Sequence, residues 1–320
     1  MLKPFYNTNP YLNSQAHILI EIENLVRHVI NHFEPIRLSP LTSSNRIRFE
    51  SSWYVHILRS MPRLLSVYRS DHDYAELITA FWHGCKVAGF LSLHSVDDEY
   101  YQEPYRHHGY MMDHALALAR AIKHHINDQT FRRKPSDRLY QMKSNHASLR
   151  ASVASSLQQY SCALVIRGDL GYCKEYYSEI TIQDVYQHLD RLNKTISYRR
   201  GTFEHLIDYH WTLEQGVDRG YHIHMAFLFK GYRHQQDWGL MQAIGELWRE
   251  ITGGYGSYFN GNHPDLKEKW AGLDRLGIGK IKRNDTAACE NTLAALSYLA
   301  QPEKTDQYLR MKPRGRRSFA

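Results

Sequence analysis

The chain has 320 residues, of which 42% are hydrophobic and 23% charged, with a formal net charge of +7 and a pI near 9.1. This is enough apolar material for one large domain or two ordinary ones, and it excludes global disorder. The four cysteines (Cys85, Cys162, Cys173 and Cys289) form no C-x-x-C pair, which excludes zinc-ribbon spacing and a disulfide framework. No run has the length and apolarity of a signal peptide or a membrane span, so a cytoplasmic location and no membrane partner are expected.

Apolar periodicity divides the chain. Ile18, Ile22, Leu25, Val29 and Phe33 recur every three or four residues and predict an amphipathic helix ended by Pro35 and Pro40. Further helices are expected from about Tyr74 to Leu91 and from Tyr110 to Ile126, the latter with Met112, Ala115, Leu116, Ala119 and Ile122 on one stripe. Trp53, Trp82 and the histidines His107, His108, His124 and His125 suggest no chemistry in this helical part. The polar stretch Arg132 to Asn145 reads as a linker. A domain boundary is therefore expected near residue 140, with an all-helical N-terminal region before it.

Beyond the boundary the period changes. Ser161 to Arg167 reads as a buried strand closed by Gly168 and Gly171, and Ile182 to Tyr198 as a helix with Val185, Leu189, Leu192 and Ile196 inward. Two strands follow, Leu206–Glu214 and Tyr221–Phe229. Then come a helix from Leu240 to Ile251, a short strand near Gly277 to Lys282, and a helix from Thr286 to Gln301 stopped by Pro302. This order predicts an α+β domain over 141–320, an antiparallel sheet with helices packed on one face.

His222-Ile223-His224 is the one H-x-H in the chain, a weak signal alone. Its setting sharpens it. Tyr221, Ile223, Met225, Phe227 and Phe229 alternate with His222, His224, Ala226 and Leu228, so both histidines leave the strand on the same face. If Gly216 pairs with Gly220 around the turn, Glu214 lies opposite His222 and Thr212 opposite His224, with Cβ atoms about 5 Å apart. Glu214, His222 and His224 would then form a three-ligand site for a divalent cation with positions left for a phosphate oxygen. The alternative is a polar strand face with two solvent-exposed histidines.

A nucleophile for phosphate chemistry is available on the last helix, where Tyr298 follows Leu293 and Leu296; the alternative is an ordinary packing tyrosine among the 23 in the chain. Six basic residues (Lys304, Arg310, Lys312, Arg314, Arg316, Arg317) stand against two acidic ones between Pro302 and Ala320, more than half the excess charge of the chain. That tail reads either as a solvated terminus or as a phosphate-contacting arm. Arg167 and Asp169 either reach the same polyanion or close the turn after their strand.

Three segments together resemble the HUH endonucleases of the rolling-circle replication and relaxase superfamily, with a closer likeness to inoviral and prophage replication proteins of the YagK/YfjJ type. They are Val165-Ile-Arg-Gly-Asp-Leu-Gly-Tyr172, the hairpin from Trp211 through Phe229, and Leu296-Ser-Tyr-Leu-Ala-Gln-Pro302 with the following Asp306-Gln-Tyr-Leu-Arg310 and Gly315-Arg-Arg-Ser-Phe319. The likeness spans roughly Gln141 to Phe319. It implies an HUH/Rep-like, RRM-like sheet, with Glu214, His222 and His224 holding Mg²⁺ or Mn²⁺. It implies that Tyr298 attacks a scissile phosphate of single-stranded or origin DNA, leaving a 5′-phosphotyrosine and a 3′-OH that primes synthesis. DNA contacts would come from Arg167, Lys304, Arg310, Lys312, Arg316 and Arg317, and a host helicase or replication machinery is the implied partner, inside a bacterial cell.

One departure stands out. Such tyrosines are often followed three or four residues on by a lysine, and here position 301 is Gln301, whereas Tyr308 has Lys312 four residues later. Tyr308 is therefore the alternative nucleophile. The expected function is a metal-dependent nickase that starts replication of a phage, prophage or plasmid-like element. The alternatives are a DNA-binding regulator on the same fold with decayed nuclease activity, and a metal-dependent phosphoesterase with no covalent step.

Overall fold

The computed structural model describes residues 13–33, 51–91, 108–234, 236–300 and 307–320, and of residues 51–56 and 108–112 the backbone alone. Pro35, Pro40, His107, Gln301, Pro302 and Lys304 lie outside these residues. The chain forms two compact units, Ile18–Ser136 and Asp137–Ala320, the latter joined by the segment up to His17.

The first unit is mostly helical, with α1 (Gln15–His32), α2 (Ser51–Leu65), α3 (Glu76–Val87) and α4 (His108–Ile126). Ile22, Val26, Val29, Leu58, Met61, Phe81, Cys85, Leu118 and Ile122 are buried, as their helical spacing requires. The region is not all-helical, since His72–Tyr74 forms the short strand β1. The expected linker is also a helix: Arg132 to Asn145 lies inside α5 (Gln129–Gln159). A segment polar on all sides reads as a loop, but it is equally compatible with a solvent-surrounded helix. Asp128 starts this one by accepting from the Thr130 backbone N–H at 2.7 Å.

The second unit is α+β. Its five-stranded sheet contains β2 (Cys162–Tyr172), β3 (Leu206–Gly216), β4 (Gly220–Lys230), β5 (Gly256–Asn260) and β6 (Gly279–Lys282), and every pairing is antiparallel. The order is β3–β4–β2–β5. The outer edge of β2 has two partners, β6 along Cys162–Val165 and β5 along Gly168–Tyr172. The helices are α5, α6 (Ile182–Ser197), α7 (Asp237–Ile251), α8 (Pro264–Ala271) and α9 (Thr286–Ser297). Strand β5 and helix α8 were not anticipated: Gly-Ser-Tyr-Phe-Asn is too short and too polar to announce a strand.

Strand β2 does not stop at its glycines. It runs through Gly168, where a Cβ would sit 2.4 Å from the Met241 side chain of α7, so the missing side chain lets helix and strand close together.

Helices cover both faces, where only one covered face was expected. On one face Ile223, Met225, Phe227 and Phe229 are fully buried, and Trp248 of α7 donates its indole N–H to the Gly171 carbonyl at 2.7 Å. On the other, Leu149, Val153 and Leu157 of α5 and Leu296 of α9 pack on Ala163, Val165, Ala226 and Leu228. The two apolar positions that follow His224 on its own face, Ala226 and Leu228, explain this second layer. Among the described residues, no helix is long and apolar enough to cross a membrane.

Candidate metal centre

The hairpin sets the site. Gly216 pairs with Gly220 and Glu214 with His222, while Thr212 pairs with His224, the register expected from the turn glycines. Gly220 makes the turn possible, because its φ of 58° is in the left-handed region that side-chain-bearing residues avoid. Ligand atoms of Glu214, His222 and His224 all lie within 4.8 Å of one another and can hold a metal ion. The His224 Nε2 to Glu214 Oε2 distance is 3.1 Å, and His222 Nε2 to the same oxygen is 3.7 Å. All three side chains are buried; the Tyr298 ring lies against His224, and α5 and α9 pack on the same face beyond it, over Ala226 and Leu228.

Each imidazole is oriented by its other nitrogen. His222 Nδ1–H donates to the Gly220 carbonyl at 3.2 Å, which leaves its Nε2 lone pair directed into the cluster with no hydrogen-bond partner. Burial, then the neighbouring His224 and Arg219, bring the His222 pKa down to about 4, so the ring is neutral and able to ligate. His224 Nδ1–H donates to Asp169 Oδ1 at 2.6 Å. Burial works against charge on His224, but Asp169 and Glu214 outweigh it and raise its pKa. Burial likewise pushes the Asp169 carboxyl up, and His224 and Arg219 reverse this and hold it well below the usual carboxylate range. A buried nitrogen lone pair without a partner, beside a carboxylate and a second imidazole backed by an acid, is a donor set suited to a divalent cation.

Asp169 is the residue whose role the sequence left open. It lies opposite His224 across β2 and β4, and it also receives Arg219 at 3.0 Å, so it neither closes a turn nor reaches outward. No local motif announces it, because its partner is 55 residues away and the register of β2 is not written next to it.

Tyr298 caps α9 and begins a 3₁₀ turn, Tyr298–Ala300, so the α-helix ends earlier than the stop at Pro302 suggested. Its ring is 41% exposed and packs edge-on against His224 at 6.2 Å between centroids, with the Arg167 guanidinium carbon 4.9 Å from the ring centre. Arg167 is held at the point where the outer edge of β2 changes partner. Its N–H donates to Asn262 Oδ1 at 2.8 Å, and its carbonyl accepts from the Gly261 N–H at 3.0 Å. The fully buried Asn262 also donates to Val165 and Asp237. Tyr308 lies instead between two arginines, 4.1 Å from Arg138 and 4.7 Å from Arg310.

The tail is not a free arm over its described part. Arg310, expected on a DNA-facing surface, is 3% exposed and donates to the Gln215 and Tyr308 carbonyls. Its neighbour Met311 is buried with it. Arg316 is engaged by Asp190 through two bonds, at 3.0 and 2.5 Å, and Lys312 donates to the Arg316 carbonyl. Arg314 and Arg317 are exposed. The last residues lie along β3: Trp211 exchanges two backbone bonds with Ala320, and the Leu213 N–H donates to the Ser318 carbonyl at 2.9 Å.

No protein family, curated protein or solved structure gives a match to this chain.

Proposed function

We propose that the unit from about residue 141 to 320 is an HUH-type endonuclease that nicks single-stranded DNA through a covalent tyrosine intermediate, with the starting of rolling-circle-type replication of a phage, prophage or plasmid-like element as its role. The observation that carries this is the meeting of a buried two-histidine, one-glutamate cluster with a half-exposed tyrosine whose ring touches one of the histidines. An H-x-H on the strand beside the centre of an antiparallel sheet supports the same reading.

Glu214, His222 and His224 would hold a divalent cation, Mg²⁺ or Mn²⁺. Bound there, it would supply Lewis-acid polarisation of the scissile phosphate. The residues of the chain do the rest. Asp169 fixes the His224 ring, and the Gly220 carbonyl fixes that of His222. Tyr298 Oη attacks phosphorus as the P–O3′ bond breaks, so the tyrosine ends as a 5′-phosphodiester and the strand as a free 3′-hydroxyl. The proton lost by the phenol balances the one taken up by the 3′-oxygen. Arg167, 4.9 Å from the Tyr298 ring centre, supplies the positive charge that Gln301 does not.

The test is incubation of the full chain with Mn²⁺ and labelled single-stranded DNA from the element that carries its gene, followed by denaturing electrophoresis. A DNA–protein adduct is expected from the wild type and from Tyr308→Phe. It should vanish in Tyr298→Phe, in His224→Ala and with EDTA. An adduct that survives Tyr298→Phe refutes the assignment of the nucleophile. DNA binding without any adduct would favour a regulator on the same fold.

A further inference from the structure

We infer that Phe259, on the edge strand β5, is a stacking platform for one unpaired base of a nucleic acid strand whose phosphate lies at the metal centre. The inference rests on the reading of that centre as one that acts on single-stranded DNA. Its basis is the cross-strand register. Phe259 pairs with Asp169, Asp169 with His224, and His224 with Thr212, so these four residues form one row across the sheet. Directly paired residues project to the same face. Phe259 therefore shares the face of the metal ligands, two strands and about 10 Å from His224. That separation corresponds to a nucleotide or two of extended strand.

Phe259 is 50% exposed, although its neighbour Tyr258 turns to the opposite face and packs on Gly245 of α7. Edge strands in water are commonly blunted by charge rather than by a bare aromatic ring. Cations accompany the row. Arg167 stands two residues from Asp169 on the same face of β2, and Arg219, half-exposed, holds the carboxylate of Asp169. On its other side Phe259 borders a groove shared with Tyr258 and with Trp238 and Gln242 of α7, which opens at the sheet edge on the α7 side. An exposed ring beside arginines, in line with a candidate metal centre, has the elements of sequence-tolerant single-strand recognition. A base pair inside a duplex has both faces covered by its neighbours, so the ring selects an unpaired base.

The experiment is fluorescence anisotropy with a labelled oligothymidylate of about 15 nucleotides, in EDTA so that nothing is cleaved, using the full chain. Phe259→Ala should bind roughly 10- to 100-fold more weakly, and Phe259→Trp within about twofold of the wild type. The affinity for a blunt duplex of the same length should be the same in all three, and a thermal melt checks that each variant is folded. Equal oligothymidylate affinity for Phe259→Ala and the wild type would overturn the inference, as would the absence of any binding by the wild type. The assay does not depend on the proposed activity. A chain that binds as described but forms no adduct loses the nickase reading and keeps the subsite, whereas an adduct-forming chain indifferent to Phe259→Ala keeps the first and loses the second.

Discussion

On one face of the central sheet, β4 buries Ile223, Met225, Phe227 and Phe229 against apolar neighbours, whereas on the other the same strand buries His222 and His224 to 2% and 3% exposure. Burial is nearly equal, but what makes it tolerable is not. The apolar face needs volume and contact, which are non-directional. The polar face needs a partner for each charged or hydrogen-bonding group, because an unpaired buried charge costs several kcal/mol. Asp169, Arg219, Glu214 and the Gly220 carbonyl meet that need, and the His222 Nε2 atom is the position kept open. Ala226 and Leu228 continue apolar packing on the histidine face, so only its stretch around His222 and His224 spends stability on a preorganised site.

The contrast can be broken most severely from the apolar side. Phe227→Ala removes a fully buried ring and should cost about 3–5 kcal/mol in chemical denaturation, while the folded fraction keeps its affinity for Mn²⁺. A change in metal affinity without loss of stability would contradict the division of labour. On the polar side, Asp169→Asn removes the negative charge behind His224 while keeping the shape. By titration calorimetry, metal affinity should fall roughly 10- to 100-fold. Unchanged affinity would mean that Asp169 serves Arg219 alone.

The smallest effect lies at the far end of the polar row on β3. Asp208 accepts from Ser152 at 2.6 Å and from His210 at 3.1 Å. Burial raises its pKa, but these partners outweigh burial and bring it to about 2. An unfolded aspartate titrates near about 3.9. Because the folded value is the lower one, the stabilisation is present above about pH 4 and disappears as the pH falls toward about 2. The stability difference between wild type and Asp208→Asn should thus be of order 1–2 kcal/mol at pH 6 and shrink to nothing at the acid end. A difference that does not depend on pH would assign the effect to packing.

The parts legible in the sequence are those whose determinants are local. Two glycines fix the hairpin turn, the turn fixes the register, and the register brings Glu214 to His222. Amphipathic stripes likewise reveal α1, α3, α4 and α6. The rest depends on distant partners. Asp169 takes its position from pairing between β2 and β4, and Asn262 is bonded to residues 95 or more positions away in the strand it supports. The helical layer beyond His224 on its own face includes α5, whose polar first half hides the apolar Leu149, Val153 and Leu157 of its second. Charge counting along the tail could not separate Arg310, buried beside Gln215, from Arg317, exposed to solvent.

Docking of the final residues covers the outer edge of β3. The outward N–H groups of Trp211, Leu213 and Gln215 are taken by the carbonyls of Ala320, Ser318 and Gln307. Without that cover, the strand carrying Glu214 would present a ladder of open amides, a template on which a second copy could add its own strand. The segment that first reads as a surplus of positive charge thus also acts as a selvedge, keeping the sheet from unravelling into its neighbours.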